Sequence, residues 1–340
     1  MTMTTKRSTI LAALAGGALL LAACGSGGSG EDADDGASDV RGQVRLATLE
    51  QGSGWNSYGA AFSEMWRQDM PNLQVQVLPF AGGVANIDLV AENQAEYGLT
   101  FSPLANWAQS GINGFEESSG YSAVAGGFDE YYVGIVTREG FEADSLEEVA
   151  EQELPLRLYT LAPGSAGEYF ARATLEAYGL SYDEIEANGG SVEQTSFDVI
   201  KNAFRDGQAD MMIQVITANH PATTEIATSS DIKILPVSEE IYESVSELGV
   251  GYGEIPAGSF TGVDEAVPAL TLSTLLIARD DRSEEEVYEM TRSLIENAEE
   301  LGEMNASLAG FTPERAAADD AITIPLHPGA ERYYEEEGLL

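Results

Sequence analysis

One local pattern occurs twice in this chain: a strand, a turn rich in glycine and serine, and an amphipathic helix. The first copy places a strand at residues 43–49 before a turn at 51–54 and an apolar helical stripe that begins at Tyr58. The second copy places a strand at 156–161 before a turn at 162–167, and apolar residues at helical spacing follow again. Two copies of this unit predict two α/β lobes of similar plan.

Two further β-rich runs, at residues 131–138 and 270–279, are each ended by charged residues. They suit the two places where the chain would cross between the lobes. About 300 residues follow the first 40, enough for two lobes with cores of their own. We therefore predict that residues 41–137 and 271–340 form lobe 1 and that residues 138–270 form lobe 2.

In both copies the turn leads into the start of a helix. Unpaired N–H groups and a partial positive charge at a helix start attract an anion. The alternative is that these turns only reverse the chain, since neither matches a P-loop or a dinucleotide-binding fingerprint. If the two lobes face each other, both turns line one cleft.

Residues 1–24 have the pattern of a bacterial secretion signal that ends in a lipobox. Lys6 and Arg7 precede an apolar run at 10–21, which is shorter than a membrane span, and small residues lead to Cys24. Cys24 is the one cysteine of the sequence. We predict that it is lipidated at a new N-terminus and anchors the protein outside the cytoplasmic membrane; a free or buried thiol is the alternative.

Residues 25–40 predict a flexible, acidic linker behind this anchor. Glycine and serine are followed by clustered Asp and Glu, and residues 25–39 contain no large apolar side chain for a core. A calcium loop is the alternative, but the acids lack the ligand spacing of an EF-hand.

The charge balance indicates the habitat and excludes some partners. The sequence has 57 Asp and Glu against 16 Lys and Arg, a formal net charge of −41. Such a surface repels nucleic acid and anionic lipid headgroups. Its self-repulsion disfavours the compact state in dilute buffer but is screened at molar salt. The composition therefore indicates a halophilic organism; a generic acidic secreted protein is the alternative.

From Val44 to Gly338 the order of motifs is similar to the TAXI group of extracytoplasmic solute receptors, the substrate-binding subunits of tripartite ATP-independent periplasmic (TRAP) transporters. The most specific match is residues 325–338, which resemble the closing H-P-G-A-x-x-Y-x-x-E-x-G pattern of that group. Further matches are residues 255–260 with I-P-A-G-T-Y, residues 80–87 with T-G-A-S-V-E-N, which keep Asn86, and residues 163–165 with P-G-S.

The resemblance implies a type II periplasmic-binding-protein-like fold, in which crossover strands join two α/β lobes around a ligand cleft. It implies a monomeric receptor without a cofactor that captures a small polar solute. The solute would be a carboxylate such as an amino acid or a dicarboxylate, delivered to TRAP membrane subunits that an ion gradient drives. A receptor of the same fold that serves an ABC transporter or a sensor is the alternative.

The predicted ligand contacts come from the two turns and from the segments that match the family. They are Ser53, Gly54, Trp55, Asn56, Tyr58, Gly83, Asn86, Ser102, Gly164 and Ser165. Two segments depart from the family: Trp55 and Asn56 stand in the region of a tyrosine pair, and residues 101–103 stand where Q-S-D is usual. These departures leave the scaffold in place and the identity of the ligand open.

Few basic residues are available to hold a carboxylate. Backbone N–H groups and the hydroxyls of Ser53, Ser165 and Tyr58 are the expected donors, and Arg138 and Arg279 are candidates for a bidentate clamp. Trp55 is expected either to stack on the ligand or to pack beside the turn. The ring of Tyr58 is expected in the core, with its hydroxyl toward the cleft.

The sequence argues against an enzyme. Its two histidines, His220 and His327, each precede a proline and lack metal-ligand spacing. His327 is expected to hold the C-terminal segment in place. The serine-rich turns have no paired base, and the many carboxylates single out no acid and base pair. A secreted enzyme on a related scaffold is the remaining alternative, and turnover of a bound solute would reveal it.

The acidic surface predicts a salt-dependent stability. Raising salt from dilute buffer to about 1 M shortens the Debye length to about 3 Å, so the melting temperature should rise as self-repulsion is screened. Thermal unfolding followed by circular dichroism across this range measures the effect. A melting temperature that is the same at both ends of the range contradicts the halophilic interpretation.

Overall fold

The computed structural model describes residues 40–49, 51 and 53–340. The predicted leader, Cys24 and all of the linker except Val40 lie outside the described residues. In the described part, no helix combines the length and the apolar character that a membrane crossing needs.

The described chain alternates strands and helices along most of its length. In chain order the strands are β1 (Arg41–Leu49), β2 (Asn72–Phe80), β3 (Tyr97–Phe101), β4 (Tyr121–Ala125), β5 (Tyr131–Arg138), β6 (Arg157–Leu161), β7 (Ser191–Thr195), β8 (Met211–Ile216), β9 (Ile232–Leu235), β10 (Gly251–Ile255), β11 (Val267–Leu272) and β12 (Thr274–Arg279). The α-helices are α1 (Gly54–Asp69), α2 (Gly83–Ala91), α3 (Ser102–Ser110), α4 (Leu146–Glu151), α5 (Ala166–Ala177), α6 (Tyr182–Ala187), α7 (Phe197–Arg205), α8 (Pro221–Ser229), α9 (Glu239–Val245), α10 (Glu284–Glu296), α11 (Ala298–Met304), α12 (Pro313–Ala316) and α13 (Pro328–Glu336). Two short 3-10 helices lie at Ser246–Leu248 and Ala306–Leu308.

The strands form two sheets, and each sheet is the centre of one lobe. The sheet of lobe 1 has the order β2-β1-β3-β12-β4, with β1 parallel to β2 and β3, and β12 antiparallel to β3 and β4. The sheet of lobe 2 has the order β10-β11-β5-β8-β6-β7, and β9 also pairs with β5. Each is a mixed sheet, which agrees with the two α/β lobes predicted from the repeated unit.

The chain passes between the sheets twice. The first crossing lies between the end of β4 at Ala125 and the start of β5 at Tyr131, and the second lies at Ser273 between β11 and β12. The sequence pattern predicts residues 131–137 in lobe 1. The structure places β5 in lobe 2, because its backbone hydrogen bonds go to β8, β9 and β11 of that sheet. The first crossing therefore precedes β5. Thr271 and Leu272, which the sequence also predicts in lobe 1, belong to β11 and thus to lobe 2.

The two copies of the predicted unit have the same local geometry. Ser53 and Ser165 are the N-caps of α1 and α5, both with φ of −79°, and each side-chain hydroxyl accepts a hydrogen bond from the backbone N–H three residues later. The apolar stripe of α1 packs against the lobe 1 sheet and is fully covered. Its buried members include Tyr58, Ala61, Phe62, Met65 and Trp66.

Helix α5 of lobe 2 also packs against lobe 1. The ring of Phe170 lies 4.9 Å from that of Trp107 on α3, and the ring of Tyr169 lies 4.5 Å from that of Phe115. Arg172 donates a hydrogen bond to the backbone carbonyl of Asn113 at 3.4 Å. One side of the interface between the lobes is thus closed by apolar and aromatic contact.

Asn86 and His327 both hold parts of lobe 1 together. Asn86 on α2 is fully buried, and its Nδ2 donates to the carbonyls of Leu99 at 2.7 Å and Ala47 at 3.4 Å, which joins the helix to β3 and β1. His327 is the N-cap of α13, and its Nδ1 accepts from the N–H of Gly329 at 3.2 Å. This position of His327 is the one expected from the sequence.

We predict that Asn86→Ala lowers the free energy of unfolding by about 1–3 kcal/mol, since it leaves two buried carbonyls without this donor. Chemical denaturation measures the change. Asn202→Ala, at an exposed position on α7, is the matched control and should be close to neutral. Equal effects of the two substitutions would contradict a structural role for Asn86.

Candidate ligand-binding cleft

A cavity of about 830 Å³ lies between the lobes, beside the two crossings. Lobe 1 contributes the end of β1 and the starts of α1 and α2, and lobe 2 contributes the β6–α5 turn, the end of β8 and the start of α8. Residues 129–132, where the chain enters lobe 2, complete the wall. The volume is in the range of pockets that bind small molecules.

Five helices of nine or more residues begin at this wall. They are α1 at Gly54, α2 at Gly83, α5 at Ala166, α7 at Phe197 and α8 at Pro221. The first two belong to lobe 1 and the other three to lobe 2. Each helix start concentrates backbone N–H groups and a partial positive charge, so the wall attracts an acceptor group from both sides.

The starts of α2 and α5 approach each other across the cleft. Gly82 and Gly83 have φ of +75° and +40°, which disfavours a side chain at either position. A Cβ on Gly82 would lie 2.6 Å from Leu49, and a Cβ on Gly83 would lie 3.8 Å from the Cβ of Ala166 in the other lobe. The starts of α2 and α5 thus lie close together across the cleft, with room for about one methyl group between Gly83 and Ala166.

Aromatic side chains form another part of the wall. The ring of Phe101 lies 4.8 Å from that of Trp55 and 4.9 Å from that of Tyr131. The remaining aromatic members are Tyr58, Tyr132 and Phe197. Trp55 is 4% exposed, and its Nε1 donates to Thr274 Oγ1 at 2.8 Å. Its ring therefore lines the cavity in a fixed orientation.

A hydrogen-bond network at the crossings supports this wall. The carboxylate of Asp129, on the first crossing, accepts from the backbone N–H of Thr274 at 2.9 Å and from its hydroxyl at 3.0 Å. Thr274 begins the strand that follows the second crossing. The same threonine hydroxyl accepts from Trp55, so one network joins both crossings to α1.

The network shifts the pKa values of its members. Burial raises the pKa of Asp129 to about 6, although hydrogen bonds from Thr274 and Tyr58 act in the opposite direction. Burial, together with the negative charge of Asp129, also raises the pKa of the Tyr58 hydroxyl. Tyr58 is 3% exposed. Its ring belongs to the core, and the residue also lines the cavity.

Gln214 on β8 carries an unused donor at the cavity. Its side chain is 2% exposed, its Oε1 accepts from the N–H of Val215 at 2.6 Å, and its Nε2 has no partner in the described structure. Gly167 in the first turn of α5 makes room for this amide, since a Cβ there would lie 1.8 Å from Gln214 Oε1. The amide donor and the start of α5 thus lie side by side.

Charged side chains in the wall are acidic. Among the described residues that line the cavity, the carboxylates are Asp129 and Glu130, and none is lysine or arginine. Burial lowers the pKa of His220, which favours its neutral form. In the described part of the chain, no group of three His, Cys, Asp or Glu side chains is placed to hold a metal ion.

The two arginine candidates lie elsewhere. Arg138 pairs with Asp210 at 2.8 Å. Arg279 pairs with Glu96 at 3.5 Å and with Asp281. Neither arginine lines the cavity, so the clamp that the sequence left open is not formed there.

Seven of the ten predicted contact residues line the cavity: Ser53, Gly54, Trp55, Tyr58, Gly83, Gly164 and Ser165. The other three are not among its lining residues. Asn56 donates to Thr48 Oγ1 at 3.4 Å, and Asn86 binds the carbonyls of its own lobe. Ser102 is fully buried at the start of α3, and its carbonyl accepts from Thr323.

Five polar residues of the wall, contributed by the first crossing and by lobe 2, are not among the contacts predicted from the sequence. These are Asp129, Glu130, Gln214, Thr217 and His220. Some of them carried a signal: Gln214 is the one polar residue in the apolar run of β8, and Asp129 and Glu130 directly precede the β-rich run at 131–138.

The raised pKa of Asp129 predicts a pH-dependent stability. Between about pH 4 and pH 6 the folded state holds the Asp129 proton more tightly than the unfolded state, so this contribution is lost as pH rises through that window. The amide introduced by Asp129→Asn cannot ionise. Relative to this variant, the wild type should therefore lose up to roughly 3 kcal/mol of unfolding free energy between pH 4 and pH 7.

Urea unfolding of both proteins across this pH range measures the difference. Asp264→Asn, at an exposed position of lobe 2, is the control and should track the wild type. A constant difference between wild type and Asp129→Asn would contradict a raised pKa at Asp129.

Comparisons with known proteins agree with this architecture. The model of the NMT1-like family matches residues 46–338. The solved structure of PhnD1 from Prochlorococcus marinus in complex with methylphosphonate is 9% identical, with 88% of this chain and 99% of that chain covered and a TM-score of 0.53. A Xanthomonas citri protein bound to ATP is 11% identical, with 87% and 96% covered and a TM-score of 0.51.

A third similar structure is the periplasmic aliphatic sulphonate binding protein SsuA from Escherichia coli. It is 11% identical, with 86% of this chain and 82% of that chain covered and a TM-score of 0.45. At these identities the similarity shows the fold, and the predicted fold class of two α/β lobes around a cleft is confirmed. The finer resemblance to TAXI receptors stays a prediction. Because the model of the NMT1-like family covers most of the sequence, the chain belongs to that family.

Proposed function

We propose that this protein is an extracytoplasmic solute-binding receptor, which closes its two lobes on a small polar solute and delivers it to a membrane transporter. The observation that carries the proposal is the cavity of about 830 Å³ between lobes that two short crossings connect. A hinge of this kind allows a cleft to close around a ligand that contacts both sides. Lipidation of Cys24 would keep such a receptor at the membrane.

The lining supports a solute with an acceptor group. Helix starts from both lobes offer N–H groups, and Gln214 offers a buried donor without a partner in the described structure. The PhnD1 structure, which has a similar fold, holds methylphosphonate. A carboxylate or another small oxyanion group would suit the same donors, because recognition then depends on N–H groups and hydroxyls rather than on an arginine clamp.

The membrane partner is the second part of the proposal. We place an ABC-type transporter first, since the matching family model is that of the NMT1-like family, and TRAP subunits, which the TAXI resemblance implies, second. Solute uptake in cells distinguishes them. Uptake that stops when ATP is depleted but the ion gradient is kept indicates an ABC transporter, and uptake that stops with an ionophore alone indicates TRAP subunits.

We predict that the purified protein binds a small polar solute and is stabilised by it. A solute at about 100 times its Kd should add about 2.7 kcal/mol, which a thermal-shift screen of amino acids, dicarboxylates, phosphonates and sulphonates detects. Gly167→Ala should weaken the binding of any hit at least about tenfold, because the new Cβ displaces Gln214. Calorimetric titration gives the Kd.

Gly310→Ala is the matched control, since a Cβ at Gly310 meets nothing within 4 Å. It should leave the affinity unchanged. If the folded protein binds nothing across the screen, the receptor proposal fails. If the protein converts a bound solute into a product, the alternative of a secreted enzyme replaces it.

A further inference from the structure

The acidic side of the cleft is not explained by an acceptor group alone. Asp129 and Glu130 lie in the wall, and none of the described lining residues is a lysine or arginine that would balance them. A solute with only negative charge would meet like charges there, which disfavours binding. A ligand that brings its own positive charge removes this conflict.

Aromatic residues surround the same part of the wall. Tyr131 and Tyr132 follow the two carboxylates directly in the chain, and Phe101 lies edge-on to Tyr131 at 4.9 Å. The hydroxyl of Tyr132 donates to Glu130 Oε2 at 2.5 Å. Aromatic faces next to carboxylates are a suitable environment for an organic ammonium group, which gains cation–π attraction as well as charge pairing.

The opposite chemistry lies on lobe 2. Gln214 Nε2 is a donor without a partner in the described structure, on a side chain that is 2% exposed, and it lies beside the first turn of α5. A buried donor left unpaired costs free energy, so an acceptor on the ligand is expected here. His220, whose neutral form is favoured, adds no competing positive charge.

On the basis of the proposed function, we infer that the natural solute is a zwitterion. Its anionic group lies at Gln214 and the start of α5, and its organic ammonium group lies among Tyr131, Asp129 and Glu130. This narrows the class from polar solutes in general to small molecules with both charges, and it excludes simple dicarboxylates. Selectivity then comes from the ammonium end, because many anions could satisfy the acceptor end.

Two pairs of compounds test the inference on the purified protein. Each pair has one zwitterion and its carbon isostere: glycine betaine with 3,3-dimethylbutanoate, and 4-aminobutanoate with pentanoate. We expect at least one zwitterion to bind at least about tenfold more tightly than its isostere, as measured by calorimetry in high salt. Glu130→Gln should remove most of this preference, because the amide keeps its shape and its bond from Tyr132 but loses the charge.

Glu139→Gln is the control for overall charge, since Glu139 is exposed on lobe 2, near the end of β5, and does not line the cavity. It should keep the preference. If an isostere or a dicarboxylate binds as tightly as the zwitterions, the inference is overturned while the receptor proposal stands. If neither pair binds but a compound of the wider screen that carries only negative charge does, the inference is likewise overturned. If no compound binds at all, both proposals fail.

Discussion

The bond between Asp129 and Thr274 is the constraint on which the cleft depends. It joins the two segments that connect the lobes, and its residues are 145 positions apart in the chain. The carboxylate accepts from both the backbone and the hydroxyl of Thr274, so the crossings are tied at two points. Because the same hydroxyl holds Trp55, the tie also sets the position of the first helix and of the aromatic wall.

This tie has an energetic cost that other contacts offset. Desolvating a carboxylate disfavours its charged form, and the raised pKa of Asp129 expresses that penalty. The hydrogen bonds from Thr274 reduce the penalty. Packing of α5 against Trp107 and Phe115 stabilises the interface at the other side of the cleft, so the lobes are held both at the crossings and at a distance from them.

The features that the sequence predicted well are local. The strand, glycine-rich turn and helix were predicted twice because capping serines and apolar spacing act within about ten residues, and Ser53 and Ser165 adopt nearly the same cap geometry. The fold class followed from that repeat and from the family resemblance. Seven predicted contacts lie at the cavity because both turns end there.

The features that the sequence did not predict depend on long-range pairing. The sequence does not predict the lobe of β5 correctly, because an apolar strand can pair in either sheet. Its hydrogen bonds to β8 and β11 place it in lobe 2. Nothing in the sequence distinguishes Asp129 from the other acidic residues, which number 57 with it. Only its contact with Thr274, far away in the chain, shows its role. Asn86 matched a family segment, but burial against Leu99 and Ala47 gives it a structural task.

Under the proposed function, the approach of Gly83 to Ala166 would make closure of the lobes depend on the solute. It brings the positive ends of two helix dipoles, one from each lobe, close together across the cleft. With nothing between them these ends repel, which favours an open arrangement. An anionic group seated at the helix starts acts as a shared counter-ion and turns that repulsion into attraction. In the proposed receptor, a closed form would then indicate a bound solute, and the proposed transporter would meet that form only when a solute is present.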